Sequence, residues 1–599
     1  MSSRFVVGID LGTTNSAVGY VDLKDSSPGG LEIISFNIPQ LVESGRVADR
    51  STLPSFLYLP GEFDLGKGAL SLPWDDKRTY AVGSFARDQG ALVPGRLVSS
   101  AKSWLCHDGV DRQAPILPWG AGSDVEKVSP VSASARYLQH IREAWDYKMP
   151  EPLSEQVVIL TVPASFDEVA RELTLQAARE AGLPSVVLLE EPLAAFYAWL
   201  SHNENSWKEL LNPGDTILIC DVGGGTTDFT LVGCEAGDDG PSLERLAVGD
   251  HLLLGGDNVD LAIADLAEKQ LSQKLDAARY HTLLHQCRQA KEKLLEENGP
   301  EETVIRLAGR GRSLIGGMLI TKLSRKVVQE LVLDRFFPKS DLNEAVKISL
   351  DQTEGSSLGL PYVKEVGVTR HLARFLMQQG KGNMPTAVLF NGGTLTPGVV
   401  QKRLLDTISQ WAGRKIRALE HKSLDLAISW GAAYYGLVRK GLGLRVGGGI
   451  ARSYFIGVDV KGETGREGKA ICLVERGTEE GAQVEIEKVF HVRTNVPVKF
   501  SIFSSTTRTG DHVGDIVTIE GDDFVKLPPL KTVLRYGKKG KSVNLPVRIG
   551  ASVTPIGTLE MYCESQESPH KWRLQFELRK EEKKEAENNF IEGVRVGQQ

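Results

Sequence analysis

The chain has 599 residues, a length that at about 100–200 residues per domain implies several separate cores. Its 70 Lys and Arg against 77 Asp and Glu leave a net charge of −7, no basic field for nucleic acid, and no apolar run reaches the roughly 18–20 residues that span a bilayer. Six cysteines without a C-x-x-C pair argue against a disulfide framework, and MSSRFVVGIDLG enters a strand directly rather than a secretory leader, so a cytoplasmic, reducing address is expected.

In chain order, VVGIDLGTTNSAVGY comes first and reads as strand, tight turn, strand, because β-branched and apolar runs flank glycines that can take positive φ. Asp10 ends the strand, and Gly12, Thr13, Thr14 and Asn15 form a turn whose amides and hydroxyls suit phosphate. Ser165 and Glu168 give a capping-box signature, Val169, Leu173 and Ala177 recur at helical spacing, and Gly182 supplies the stop of a helix that bridges two strands. Pro192 opens the next helix directly after Glu191, which places that carboxylate at a positive helix end suited to an ion or water.

The first device then repeats in ILICDVGGGTTDFTLV, with Asp221 before Gly223, Gly224, Gly225 and Thr226. An aspartate beside a polyphosphate is repelled unless a divalent cation stands between them, so Asp10 and Asp221 together imply a nucleotide with magnesium. In LLLGGDNVD, Gly255 and Gly256 precede a helix expected to be capped by Asp257, with amides facing a terminal phosphate. His281 and His285 lie four apart on a helix, but no third ligand or H-E-x-x-H pattern accompanies them, so they read as helix surface or a packed pair. Helical patterns predominate from about 259 to 380, including RQAKEKLLEEN, which ends at Asn298, Gly299 and Pro300. A third loop, AVLFNGGTLTPGVV, offers Gly392 and Gly393 to a nucleoside, with Thr396 as the expected N-cap and Pro397 as the first helical residue. After Lys440, glycine-rich GLGLRVGGGIAR gives way to YFIGVDV, KAICLVE, VKFSIF and VNLPVRIG, strands of a separate β domain. The run EEKKEAENN reads as a solvated helix or tail.

These segments resemble the actin, sugar-kinase and heat-shock ATPase superfamily, and more narrowly the seventy-kilodalton heat-shock protein (DnaK-type chaperone) family. The narrow resemblance rests on GIDLGTTNS, DVGGGTTD, the connecting stretch VPASFDEVARELTLQAAREAGLPSVVLLEEPLAAFYAWL and LDLAISWGAAYYGL, over roughly the first 440 residues. It implies an α/β fold: a two-lobed actin-like ATPase domain, a duplicated ribonuclease H-like unit, over 1–440, then a linker at 441–452, an all-β sandwich-type peptide-binding domain at 453–580 and a charged tail at 581–599. It also implies ATP or ADP with Mg2+. Asp10 and Asp221 would hold magnesium through water, Thr13 and Thr14 would orient phosphates, and Glu191 would order a water. The second lobe would contribute Gly223 to Thr226. Lys291, Thr394 and Asp425 match further nucleotide-contacting positions, and Pro163 and Arg171 match a relay between nucleotide and peptide domains.

Several departures shape the expectations. In AVGSFARDQG the family's catalytic lysine is matched by Arg87, whose planar fork replaces a compact point charge and would slow hydrolysis or abolish it. Lys102 in SSAKSWL is the next candidate, although it better matches a neighbouring structural lysine. Glu292 stands where an arginine commonly stacks on adenine, and three glycines follow Leu442, Leu444 and Val446 in place of an acid-flanked leucine run, so loose coupling between domains is expected. The charged end implies no helical lid, hence fast peptide release. The resulting reading is an ATP-binding, slowly hydrolysing chaperone-like protein with extended peptide segments, a co-chaperone and an exchange factor as partners, and neither nucleic acid nor membrane. The alternatives are a pseudo-ATPase scaffold of the same fold and a kinase or filament former of the wider superfamily.

Overall fold

The strands β1 (Phe5–Leu11) and β2 (Asn15–Asp22) form the first expected hairpin, antiparallel with Asp10 opposite Ala17. The computed structural model describes residues 3–596 apart from 25–30, 108, 238–239, 251, 272, 309–317, 344–358, 379–383, 448, 451, 459–467, 480, 506–507, 509, 521–522, 537–541, 555–558, 575–590 and 593–594. Helix α1 (Ser84–Leu92) follows, and then β3 (Val157–Val162), α2 (Glu168–Glu180) and β4 (Val186–Glu190) make a parallel crossover beside β1. Every residue of β1 is buried, as expected of a strand covered on both faces. Val169, Leu173 and Ala177 of α2 are fully buried, and Gly182 takes a positive φ just past the helix end. The cap differs from expectation: the Asp167 carboxylate, not Ser165, accepts from the Ala170 N–H at 2.7 Å. Helix α3 (Glu191–His202) then leads to the second lobe.

That lobe repeats the plan. Strand β5 (Thr216–Val222) pairs antiparallel with β6 (Thr227–Gly237), which continues into β7 (Gly240–Val248). After α4 (Gly256–Gln270) and α5 (Ala277–Leu295) comes a hairpin, β8 (Glu302–Ala308) and β9 (Met318–Ser324), within the stretch expected to be mainly helical. Helix α6 (Val368–Gln378) precedes β10 (Ala387–Asn391), which lies parallel to β5 as β3 does to β1. Asp10 is the sixth residue of β1 and Asp221 the sixth of β5. Helix α7 (Ala427–Val438) closes the lobe and crosses α3 so tightly that a Cβ on Gly431 would collide with the Ala194 carbonyl. Val6, Ile159, Phe196, Ile217, Leu389 and Ala432 join both sheets to these two helices in one core.

The four strand runs noted beyond Lys440 become β11 (Ser453–Val458), β12 (Lys469–Val474), β13 (Pro497–Ser505) and β14 (Asn544–Val553). They are divided between two sheets whose inward residues, among them Ile456, Ile471, Phe500, Val547, Ile549 and Met561, share one apolar cluster. Segments Ile591–Glu592 and Arg595–Val596 pair with strands of the two sheets, so β pairing continues past 580, where the sequence suggested a tail. The run EEKKEAENN lies outside the described residues.

Candidate functional site

The two glycine-threonine turns meet face to face. A Cβ on Gly224 would collide with the Thr14 hydroxyl and one on Gly225 with the Ser103 hydroxyl, so only glycine permits this approach. The third loop closes from the same side: Gly392 takes φ 88°, and Thr394 Oγ1 donates to the Gly223 carbonyl at 2.8 Å. The helix α4 start is capped by Gly255, with Asp257 one residue inside the first turn rather than at the cap. The Gly255 N–H donates to Asn258 Oδ1 at 2.9 Å. Likewise Pro397, not Thr396, caps the helix Gly398–Ala412. Ser100 of the first lobe donates to Asp257 of the second at 2.8 Å, so one hydroxyl ties the lobes across the cleft.

Charge is concentrated between the turns. Asp10, Glu191, Asp221 and Asp228 are all buried, and the cation set among them is Lys102, ion-paired with Glu191. Burial, and then Glu191, push Asp10 up to about 7, although Lys102 and the Thr161 hydroxyl pull the other way. Burial and Glu191 likewise hold Asp221 well above the usual carboxylate range, against the Asn391 amide that donates to it at 2.9 Å. Burial also raises Asp228 to about 7. Burial alone would lower the Lys102 ammonium, but Glu191 and Asp10 outweigh it and the net shift is upward. Ser103 Oγ and Asn391 Oδ1 are buried without partners. Excess carboxylate, orphaned polar atoms and a glycine cradle together fit a cation-bound anionic ligand with several oxygens.

The family described as Hsp70 protein matches residues 110–367. A chaperone protein HscA homolog of Acinetobacter baylyi is 32% identical over 300 residues, covering 49% of this chain and 42% of the relative. The HscA homolog of Pseudomonas putida is 33% identical over 306 residues, at 49% and 42% coverage. That of Pseudoalteromonas atlantica is 27% identical over 384 residues, at 60% and 54%. Over these stretches the chain is similar to the Hsp70 family. Its match spans about half the length of these curated relatives or less.

Against the Hsp70 resemblance, one expected position moves. Arg87 sits on the outer face of α1, about a third exposed and paired with its neighbour Asp88 at 2.8 Å, because Phe85, Ala86, Gly90 and Ala91 take the inner face. Lys102, 6% exposed beside Glu191, is the basic group inside the cleft. Lys291 pairs with Asp260 at 2.7 Å, and Arg288 bridges Asp257 and Asp260, a cluster that sequence reasoning passed over. Asp425 is exposed but adds to the field on Asp10, and Glu292 is exposed on α5. Asn15 is exposed at the start of β2, and the Gly12 carbonyl accepts from Ser55 Oγ at 2.8 Å. His285 shares a 3.0 Å hydrogen bond with Gln289.

The linker is docked rather than loose. Val446 N–H donates to Tyr197 Oη at 3.1 Å, Gly447 N–H to the Leu243 carbonyl at 2.8 Å, and Val446 is buried in the core between the lobes. Glu190, the residue before Glu191, pairs with Arg171 at 2.8 Å and with Arg245, which also donates to the Gly449 carbonyl. Burial alone would raise Glu190, yet Arg245 and Arg171 hold it below its usual range. At the head of α2, the Glu168 carboxylate accepts from Tyr454 Oη at 2.7 Å and from the Leu559 N–H at 3.2 Å, both in the β unit. Beside Pro163, the Ala164 carbonyl accepts from Arg452 at 3.2 Å and the Ser165 N–H donates to Asp228 at 3.2 Å.

The raised carboxyls carry a pH signature. Because the folded chain holds the Asp10 and Asp228 protons up to about pH 7 and the unfolded chain releases them near 4, the folded state binds more protons between these values. Stability of the nucleotide-free protein therefore falls as pH rises from about 4 to about 7, by an amount on the order of a few kcal/mol. Thermal unfolding from pH 5 to 8 should show this slope. Asp10→Asn should flatten it and melt higher than the parent at pH 8; a parallel slope in the variant would refute the assignment.

Proposed function

We propose that this protein binds ATP with magnesium between its lobes, hydrolyses it slowly and uses nucleotide state to change the grip of its β-sandwich on extended peptide segments. The observation that carries this reading is the adjacency of Glu190 and Glu191. One carboxylate faces the cleft with Lys102, and the next holds the arginines that reach the linker. A change at the phosphate turns then has a two-residue path to the interface with the β unit, with Pro163 and Arg171 beside it as the relay.

In this reading Asp10 and Asp221 would hold magnesium through water, and the ion would supply positive charge against the phosphates. Thr13, Thr14 and the amides of both turns orient phosphate oxygens, and Lys102 supplies the point charge first expected of Arg87. Glu191 orders a water for in-line attack, held in place by its ion pair. The Gly392–Thr394 loop and Lys291 line the nucleoside side. The scaffolding alternative rested on Arg87 and on the missing lid, and with Lys102 read as the catalytic cation only the second of these supports it. Extended peptides would add to the β unit through backbone hydrogen bonds.

Isothermal titration of the full chain with ATP and magnesium tests the first half, with one site per chain expected. Stopped-flow release of a labelled extended peptide tests the second: ATP should speed release at least tenfold over ADP. Binding without any change in release would remove the coupling and leave a nucleotide-binding protein.

A further inference from the structure

Between the hairpin β8–β9 and helix α6 the chain leaves the second lobe and touches the first. Leu360 and Tyr362 are 1% and 3% exposed, and both belong to the apolar core of the first lobe, with Leu105, Leu117 and Val128. One residue later Val363 is buried in the core of the second lobe, with Val368 and Leu372 of α6. Leu253, just before the Gly255–Gly256 turn, does the same: it packs in the first lobe while Leu252 and Leu254 pack in the second. The two prongs are joined, because the Val363 N–H donates to the Leu253 carbonyl at 3.3 Å. The ring of Trp119, half-exposed on the first lobe, lies against Gly359 at the start of this crossing.

We propose that residues Gly359–Val363 are a latch that holds the two nucleotide lobes shut and sets the rate at which nucleotide leaves. The phosphate turns are in contact, so a triphosphate enters or leaves only when the lobes part, and parting them pulls Leu360 and Tyr362 out of a close-packed apolar core. Such a plug acts on dissociation more than on association. The Tyr362 ring is the anchor and its hydroxyl is not: the Oη is buried and has no hydrogen-bond partner, so removing it costs nothing. The role in nucleotide release rests on the function proposed above, whereas lobe closure itself does not.

The test uses the full chain with ADP carrying a fluorescent ribose label, and separately, without nucleotide, spin labels at Glu62→Cys and Glu297→Cys, exposed positions on opposite lobes. For Leu360→Ser with Tyr362→Ser, dissociation should speed up about tenfold or more and the label distances should lengthen and broaden. Tyr362→Phe should stay within about twofold of the parent on both readouts. If the double variant does not fold, Trp119→Ala should give a rise of about threefold. Unchanged rates and distances in a folded double variant overturn the latch. A parent that binds no nucleotide overturns the proposed function instead, and the label distances still decide whether the lobes are latched.

Discussion

Replacing Lys102 by methionine should lower single-turnover ATP hydrolysis by about two to three orders of magnitude, the usual cost of removing one preorganised charge from a site where negative charge develops. The same change at Arg87 should leave the rate within about twofold, because that guanidinium is spent on Asp88 at the surface. The contrast follows from burial. Lys102 is enclosed with Glu191, and both Asp10 and Asp221 act on it electrostatically, so methionine would leave three carboxylates facing one another without a cation. Part of the effect will appear as a Glu191 no longer held in place by its ion pair, and the rest as lost contact with the phosphate. Binding of ATP should weaken by less, about tenfold, since both turns and the magnesium ligands survive. Rates that collapse in Arg87→Met and persist in Lys102→Met would reverse the assignment.

The misplacement of Arg87 shows where the sequence could be read and where it could not. Asp10 and Asp221 were legible because each ends an apolar strand before a glycine turn, and strand position alone puts both at the same height in duplicated sheets. For Arg87 the helical period held the answer: Phe85, Ala86, Gly90 and Ala91 share one face and leave residues 87 and 88 on the other. Lys102 had no such signal. It sits in a helix of four residues entered through Ser100 at φ 53°, a left-handed turn without a glycine to announce it. The hairpin β8–β9 was hidden for a different reason, since its alternation of buried and exposed residues is interleaved with charges that also suit a solvated helix. Three cap assignments slipped by one or two residues, the ordinary ambiguity where several Ser, Thr and Asp compete at a helix entrance. The interface with the β unit was illegible because its partners, such as Glu168 and Tyr454 or Glu168 and Leu559, are 286 and 391 residues apart.

That interface carries the other large effect. Glu190→Gln should abolish acceleration of peptide release by ATP while changing ATP affinity by less than about threefold. With the carboxylate gone, Arg171 and Arg245 both lose the buried ion pair they share through Glu190, a loss of about 3–5 kcal/mol for a broken buried pair. The protein has a cheaper escape than unfolding. If the linker and β unit lift off, Arg245 loses the Gly449 carbonyl and both guanidinia can reach water, so the cost is drawn from docking instead of from the lobes. Small-angle scattering of the ATP-bound variant should therefore show a longer molecule, with the melting temperature of the nucleotide lobes nearly unchanged. Glu168→Gln combined with Tyr454→Phe reaches the same contact from the far side. Hydrogen bonds to a charged group contribute about 1.5–3 kcal/mol each, so losing the one from Tyr454 and leaving Leu559 with a neutral acceptor should also undock the β unit. The double change should then add little to Glu190→Gln, because two variants that break the same docked state cannot break it twice. A Glu190→Gln protein that stays compact with ATP and still releases peptide faster than with ADP would show that these residues hold the lobes together without passing nucleotide state to the β unit.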